Sequence, residues 1–321
     1  MKQILDLQRN IRVEIEMASE RPFYSMNYYG DDRFEQYLQC GAQSLEEYCT
    51  LVDTLLFQGD KEQIKCDSFG CSAFIARDEN GDILFARNMD SEKSIPMLVR
   101  MKNGTANKSL FLVNMIELDW DEATYNTLEN DAKLTLAAAY SPCDGINEYG
   151  LAVAILTDAT AVYPKEKSKV TLFDLTLPRL LLDKAKTVNE AIEYVKNYNL
   201  FYGFAPLHYM VADATGDAAV IEFVDGEMVV TRKEAGLLIV SNFTLYSNPN
   251  REGFGKERYE NYQNALAKSK GIISEADALE LLKNNTIPGD EQWSVVYNLS
   301  KRSLAATFSK DYEKVYYFSL R

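Results

Sequence analysis

Cys71, Arg87 and Asp90 are residues whose types and spacing could do chemistry together. Gly70 precedes the cysteine, and residues 71 to 90 read as two apolar runs separated by Asn80-Gly81. That dipeptide tolerates the positive φ of a tight turn, so two adjacent antiparallel strands are expected. Arg87 lies sixteen and Asp90 nineteen positions beyond Cys71, so a hairpin turning near residue 80 carries both back toward the sulfur. If the chain is cut between Gly70 and Cys71, the cysteine gains an α-amine with an ordinary pKa of roughly 7.7–8.0. The nucleophile then holds its own general base and needs no histidine. Arg87 would favour thiolate over thiol, and Asp90 would orient the amine. The plainer alternative is an inert buried cysteine beside a structural ion pair, and spacing alone leaves both open.

With Arg-Asn-Met-Asp at 87 to 90, Cys71 resembles the opening signature of the choloylglycine hydrolase and penicillin V acylase family, cysteine members of the N-terminal-nucleophile hydrolases. Asp-Gly-Ile-Asn-Glu-Tyr-Gly-Leu-Ala-Val-Ala, 144 to 154, is similar to that family's Asn-Glu-x-Gly-Leu segment. Residues 207 to 223 resemble its central hairpin, and Val-Ser-Asn at 240 to 242 its oxyanion asparagine. The resemblance implies Cys71 as nucleophile and base, Arg87 and Asp90 as its partners, and Asn242 as a side-chain oxyanion donor. It places Thr157 where the family supplies a second oxyanion contact; a threonine there can offer its backbone N–H but not the side chain usual at that position. Arg258 matches the family's later active-site arginine, although it follows Asn242 by only sixteen positions. That interval is shorter than in bile salt hydrolases and removes a substrate-lining loop, so neither bile salts nor penicillin V is implied as substrate. The long segment before Cys71 is closer in plan to acid ceramidase, N-acylethanolamine amidase and penicillin acyltransferase relatives, where a leading piece is cut and often stays bound.

The elements that must position these residues change in texture along the chain. Residues 1 to 69 read as helical, with Ile4, Leu5, Leu7, Ile11, Val13, Ile15 and Met17 as a broken stripe and a second short helix at 33 to 40. Ser44 and Glu47 form a capping-box pattern ahead of a further helix. Lys61 to Gly70 is polar, suits an exposed cleavable linker, and ends in a glycine that gives the scissile bond room to distort. From Cys71 onward strands dominate: 96 to 101, 110 to 116, 134 to 140, 151 to 156, 209 to 214, 218 to 224, 228 to 231, 293 to 299, 303 to 308 and 315 to 319. Residues 120 to 131 read as an acidic loop. Helical spacing covers 170 to 185, where Pro178 implies a kink or a later start, and 188 to 198, capped by Thr187. Two more helices are expected at about 255 to 269 and 275 to 284. The expected fold is α+β, a four-layer αββα N-terminal-nucleophile hydrolase sandwich over 71–321. A helical pro-segment, 1–70, precedes it and is cleaved before Cys71.

Composition narrows the functional classes. Forty-eight acidic against 34 basic residues give a net charge of −14, which repels nucleic acid and anionic membrane surfaces. The five cysteines (40, 49, 66, 71, 143) form no CxxC pair, and no stretch of about 18 apolar residues occurs. A cytoplasmic protein with a small-molecule substrate, no membrane span, and a homo-oligomer as an open option is expected. The single histidine, His208, excludes multi-histidine metal sites. It reads as a buried strand residue, so no cofactor and no metal are expected. Asp78-x-Asn80-x-Asp82 lacks the flanking helices of a calcium loop and reads as a hairpin turn.

The leading functional expectation is an autoprocessed hydrolase that cleaves a linear, non-peptide amide of an N-acyl conjugate through an acyl-enzyme on Cys71. Two alternatives stand beside it. One is an acyltransferase that hands the acyl group to an amine; the other is an uncleaved, non-catalytic small-molecule binding protein.

Overall fold

The computed structural model describes residues 2–7, 11–17, 23–57, 70–102, 104, 106–118, 134–234, 236–289 and 291–320. The expected linker at 61–69 and the acidic loop at 120–131 lie outside the described residues. The helical reading of the leading segment is corrected over its first third. Three strands occur there, β1 (Lys2–Leu7), β2 (Ile11–Met17) and β3 (Tyr24–Tyr29). Ile11, Val13, Ile15 and Met17 recur every second residue, which is the period of a strand and not of a helix. β3 alternates buried and half-buried positions and lies parallel to Pro96–Lys102, a pairing with residues far along the chain. Two short helices follow, α1 (Phe34–Cys40) and α2 (Leu45–Val52). The Ser44 hydroxyl accepts the Glu47 N–H at 3.2 Å, but the Glu47 carboxylate reaches the Gln43 N–H, so half of the capping box forms.

The hairpin around Cys71 consists of β4 (Gly70–Arg77) and β5 (Ile83–Ser91). Cys71 faces Met89 and Gly70 faces Asp90 in its register. Residues 78–82 close it as a five-residue loop: the Asp78 carboxylate accepts the N–H groups of Asn80 and Asp82, and Gly81 adopts φ +85°. Every residue of β5 is buried, as a central strand covered on both faces requires. Its other neighbour is β16 (Glu291–Asn298), followed outward by β17 (Ser303–Phe308) and β18 (Tyr316–Ser319). With β15 (Ile239–Val240) on the far edge of β4, a six-stranded sheet runs β15-β4-β5-β16-β17-β18.

The second sheet has ten strands. To the leading three it adds β6 (Pro96–Lys102), β7 (Ser109–Asn114), β8 (Asp144–Asn147), β9 (Ala152–Thr157), β12 (Leu207–Ala212), β13 (Ala218–Val224) and β14 (Glu227–Arg232), in the order β1-β2-β3-β6-β7-β8-β9-β12-β13-β14. A separate parallel pair joins β10 (Val170–Phe173) to β11 (Tyr198–Phe201).

Two further expectations are corrected. Leu134–Tyr140 is helical, not a strand, because a mostly apolar stretch of seven fits either state and its surroundings decide. The span 170 to 185 splits into β10, a 3₁₀ turn and α3 (Leu177–Lys184), which starts later because Pro178 suits the first helical turn. α4 (Val188–Val195) is capped by the Thr187 side chain.

Helices α3 and α4 pack on the ten-stranded sheet, while α5 (Lys256–Lys268) and α6 (Glu275–Lys283) cover the six-stranded one. β4 and β9 meet across the inner faces, giving the four layers α/β/β/α. Among the described residues, no helix is long and apolar enough to cross a membrane.

Candidate active site

The sulfur of Cys71 lies inside the sandwich at the start of β4. Cys71, Arg87 and Asp90 are wholly buried. The hairpin register brings the guanidinium to the thiol, and Arg87 Nη2 donates to Cys71 Sγ at 2.8 Å. Burial pushes the Cys71 thiol up to about 11, and the Arg87 charge offsets only part of that. In the uncut chain the sulfur is therefore a neutral thiol near pH 7. Cavities of about 420 and 300 Å³ are lined by residues elsewhere, and neither includes Cys71.

Arg87 is held from behind by residues that spacing did not single out. Its Nη1 donates to the Cys143 carbonyl and to Asp144 Oδ2, both at 2.8 Å, and Asp144 is wholly buried. Asp144 also accepts from Trp293 Nε1 at 2.9 Å and from the Tyr297 hydroxyl. Burial works against the guanidinium charge, but the negative charges that Cys71 and Asp144 carry when ionised more than offset it and hold Arg87 above its ordinary range. Asp144 opens the quoted 144–154 segment, yet its role depends on β8 of the ten-stranded sheet facing the neighbours β5 and β16 of the other, which no local pattern reveals.

The other flank of Cys71 is built by Asn242 and Arg258. The Cys71 N–H donates to Asn242 Oδ1 at 2.8 Å, and Asn242 Nδ2 donates to the Thr157 carbonyl at 2.9 Å. An amide nitrogen carries two hydrogens, so one remains to aim elsewhere. Asn242 reaches this place because it follows β15 and bridges to Phe254 across a tight excursion. At its end Gly255 adopts φ +85°, and an added Cβ would lie 2.0 Å from Ser241 Oγ. α5 starts there and delivers Arg258, whose Nη1 donates to Asp90 Oδ2 at 2.5 Å. Its Nη2 donates to the Cys71 carbonyl at 3.0 Å and to Asn242 Oδ1 at 3.1 Å. The structure thus brings together Cys71, Arg87, Asp90, Asn242, Thr157 and Arg258.

Thr157 ends β9. The Asp158 N–H donates to the Pro206 carbonyl, so antiparallel alternation turns the Thr157 N–H and C=O to the opposite edge, where Asn242 sits. The Thr157 hydroxyl is buried and makes no hydrogen bond. Gly70, the residue before the sulfur, packs closely: a Cβ there would lie 2.9 Å from Ile287 Cδ1 and 3.2 Å from Asp90 Oδ2.

His208 is wholly buried on β12 beside β9, and its charged neighbours are Asp158 and Glu222. Those three are the group among the described residues whose ligand atoms lie close enough, within 4.8 Å of one another, to share a metal ion.

Known proteins resemble this chain in both sequence and fold. It is 33% identical over 102 residues to the penicillin V acylase of Pectobacterium atrosepticum, an alignment covering 28% of this chain and 27% of that protein. The chain thus spans only about a quarter of the length of that curated relative. The solved penicillin V acylase from Agrobacterium tumefaciens superposes with a TM-score of 0.56 at 18% identity, over 78% of this chain and 86% of that one. A variant of conjugated bile acid hydrolase from Clostridium perfringens gives 0.58 at 16% identity, over 78% and 92%. These two likenesses bear on the fold. Residues 71–268, well over half of the 321, match the model of one family, and the match begins at Cys71. The chain belongs to the linear amide C-N hydrolases of the choloylglycine hydrolase family.

Proposed function

We propose that the chain is the precursor of a cysteine N-terminal-nucleophile amidase that frees Cys71 by its own scission and then hydrolyses a linear amide of an N-acyl conjugate. The observation that carries this reading is the setting of Cys71: Sγ on Arg87 at 2.8 Å and backbone nitrogen on Asn242 at 2.8 Å, at the first residue of the family match. In processing, Sγ attacks the Gly70 carbonyl carbon. The C–S bond forms, the C–N bond breaks, and the thiol proton passes to the Cys71 nitrogen. Water then cleaves the thioester, leaving the Gly70 carboxylate and a free α-amine. In catalysis the amine takes the thiol proton, the thiolate attacks the substrate carbonyl, the C–N bond breaks as the proton passes on to the leaving amine, and water then cleaves the acyl-enzyme thioester to release the acid and restore the thiol. The second hydrogen of Asn242 Nδ2 and the Thr157 N–H hold the oxyanion. Arg87 stabilises the thiolate, while Asp90, tied to Arg258, orients the amine.

The leading segment stays in place after the cut on this reading. β3 is a member of the ten-stranded sheet, and Phe23 stacks on Phe308 with centroids 4.0 Å apart. Asp32 pairs with Arg179 Nη2 at 2.7 Å inside the protein, and Tyr140 donates to the Asp32 carbonyl at 2.6 Å. Phe23, Tyr24, Met26, Tyr28, Phe34, Tyr37, Leu38, Tyr48 and Val52 are buried. At roughly 1.5–3 kcal/mol for burying a large apolar side chain, those of them that pack against residues after the cut oppose release of the segment.

The test is a Cys71→Ala variant beside the wild type, read by intact mass and by hydrolysis of N-acyl amino acids, acyl homoserine lactones, bile conjugates and penicillin V. The wild type should separate into two masses that co-purify and release acid from at least one substrate; Cys71→Ala should remain whole and inactive. Hydrolysis by Cys71→Ala would sink the reading.

A further inference from the structure

We propose that Asp158 and Glu222 are positioning residues that set the two oxyanion donors, an inference that rests on the function proposed above. Thr157 belongs to the ten-stranded sheet and Asn242 follows a strand of the six-stranded one. No strand pairing joins them; Asn242 Oδ1 is held by Cys71 and Arg258, and its Nδ2 reaches the Thr157 carbonyl by one hydrogen bond, so backbone pairing leaves the separation of the two donors free.

A buried brace behind them removes that freedom. Asp158, the neighbour of Thr157, accepts the Thr244 O–H on Oδ2 at 2.6 Å, while Thr160 holds its Oδ1 by N–H and O–H at 3.1 and 2.7 Å. Glu222 on β13 accepts the Leu245 N–H on Oε1, and the Tyr246 N–H and Thr231 O–H on Oε2 at 3.1 and 2.7 Å. Two carboxylates, one just past the end of β9 and one on β13, thus grip residues 244–246, which begin two positions after Asn242. His208 stands between them, with Nδ1 3.9 Å from Asp158 Oδ2 and 3.8 Å from Glu222 Oε1. Those separations are too long for hydrogen bonds. The two oxygens nearest the imidazole are the ones that Thr244 and Leu245 already occupy, so the group is arranged as a clamp on backbone and hydroxyl donors and not as a metal cage. Burying two carboxylates is costly; here the return is a fixed geometry for donors that must meet a developing charge.

The experiment compares Thr244→Val, which removes one hydroxyl with little change of shape, with Glu222→Gln. Because losing an oxyanion donor outright costs roughly 10²–10³ in kcat, misplacing one should cost about tenfold in kcat on whichever panel substrate the wild type hydrolyses, with KM nearly unchanged. Alkylation of the processed Cys71 by iodoacetamide should keep its wild-type rate. An activity-independent arm follows the Asn242 side-chain amide by ¹⁵N NMR and hydrogen exchange at Leu245 and Tyr246. The amide signal should move in both variants, and exchange should quicken in Glu222→Gln. Should the wild type hydrolyse no amide, the proposed function falls while this arm still judges the brace. Wild-type kcat with an unmoved Asn242 signal in both variants would overturn the proposal. So would one equivalent of zinc or manganese in the untagged protein, since the carboxylates would then be metal ligands.

Discussion

At the residue scale, burial and charge pull the Cys71 thiol in opposite directions, and in the uncut chain burial wins, leaving it near 11. A raised pKa means that the reactive thiolate is scarce at neutral pH and grows about tenfold per pH unit. Iodoacetamide should accordingly label Cys71 of an unprocessed chain slowly at pH 8 and faster toward pH 11, whereas processed protein should react readily near pH 8; peptide mass mapping reads both. Gly70 makes a second test. A methyl there would press on Ile287 and the Asp90 carboxylate, so Gly70→Ala should slow processing, seen as persistence of the full-length band. Asn242→Ala should lower kcat by roughly 10²–10³ with the processed form intact. Asp144 holds Arg87 with both side chains buried. Asp144→Asn, which leaves that charge uncompensated, should reduce unfolding free energy by about 3–5 kcal/mol in urea titration.

At the scale of elements, what could be read in the sequence was what is local. The hairpin that joins Cys71 to Arg87 and Asp90 follows from two short apolar runs and a glycine able to take a positive φ. α6 lies where the spacing places a helix, at about 275 to 284, and in the structure Ser274 and Asp277 cap it with a full capping box. In the leading segment Ile4, Leu7 and Ile11 also fit helical spacing; what favours strands there is that β3 pairs with Pro96–Lys102, some seventy residues away, and β2 and β1 add to it in turn. Leu134–Tyr140 is ambiguous in the same way, a mostly apolar stretch too short to choose its own state. Asp144, Trp293 and Tyr297 escaped notice because their meeting at Arg87 depends on three strands distant in sequence. Asp32 offers an element-level test: Asp32→Ala strips Arg179 of one of its two carboxylates, Asp183 being the other. Stability should drop by about 3 kcal/mol, and the leading piece should part from the processed protein on size exclusion under mild urea.

At the scale of the molecule, one sheet is assembled from both sides of the proposed cut. β1, β2 and β3 come from before Gly70, and the other seven strands of the ten come from after it. Cleavage would then alter the chain without dismantling the sandwich, and would change two groups at the site: an amide nitrogen bound to Asn242 becomes an amine, and the Gly70 carbonyl becomes a carboxylate. The most direct measurement is the N-terminal sequence of both pieces of the active, purified protein. The account predicts one piece beginning at Cys71, co-eluting with the segment that ends at Gly70. Amide hydrolysis by protein in which the bond between residues 70 and 71 is still intact would contradict it.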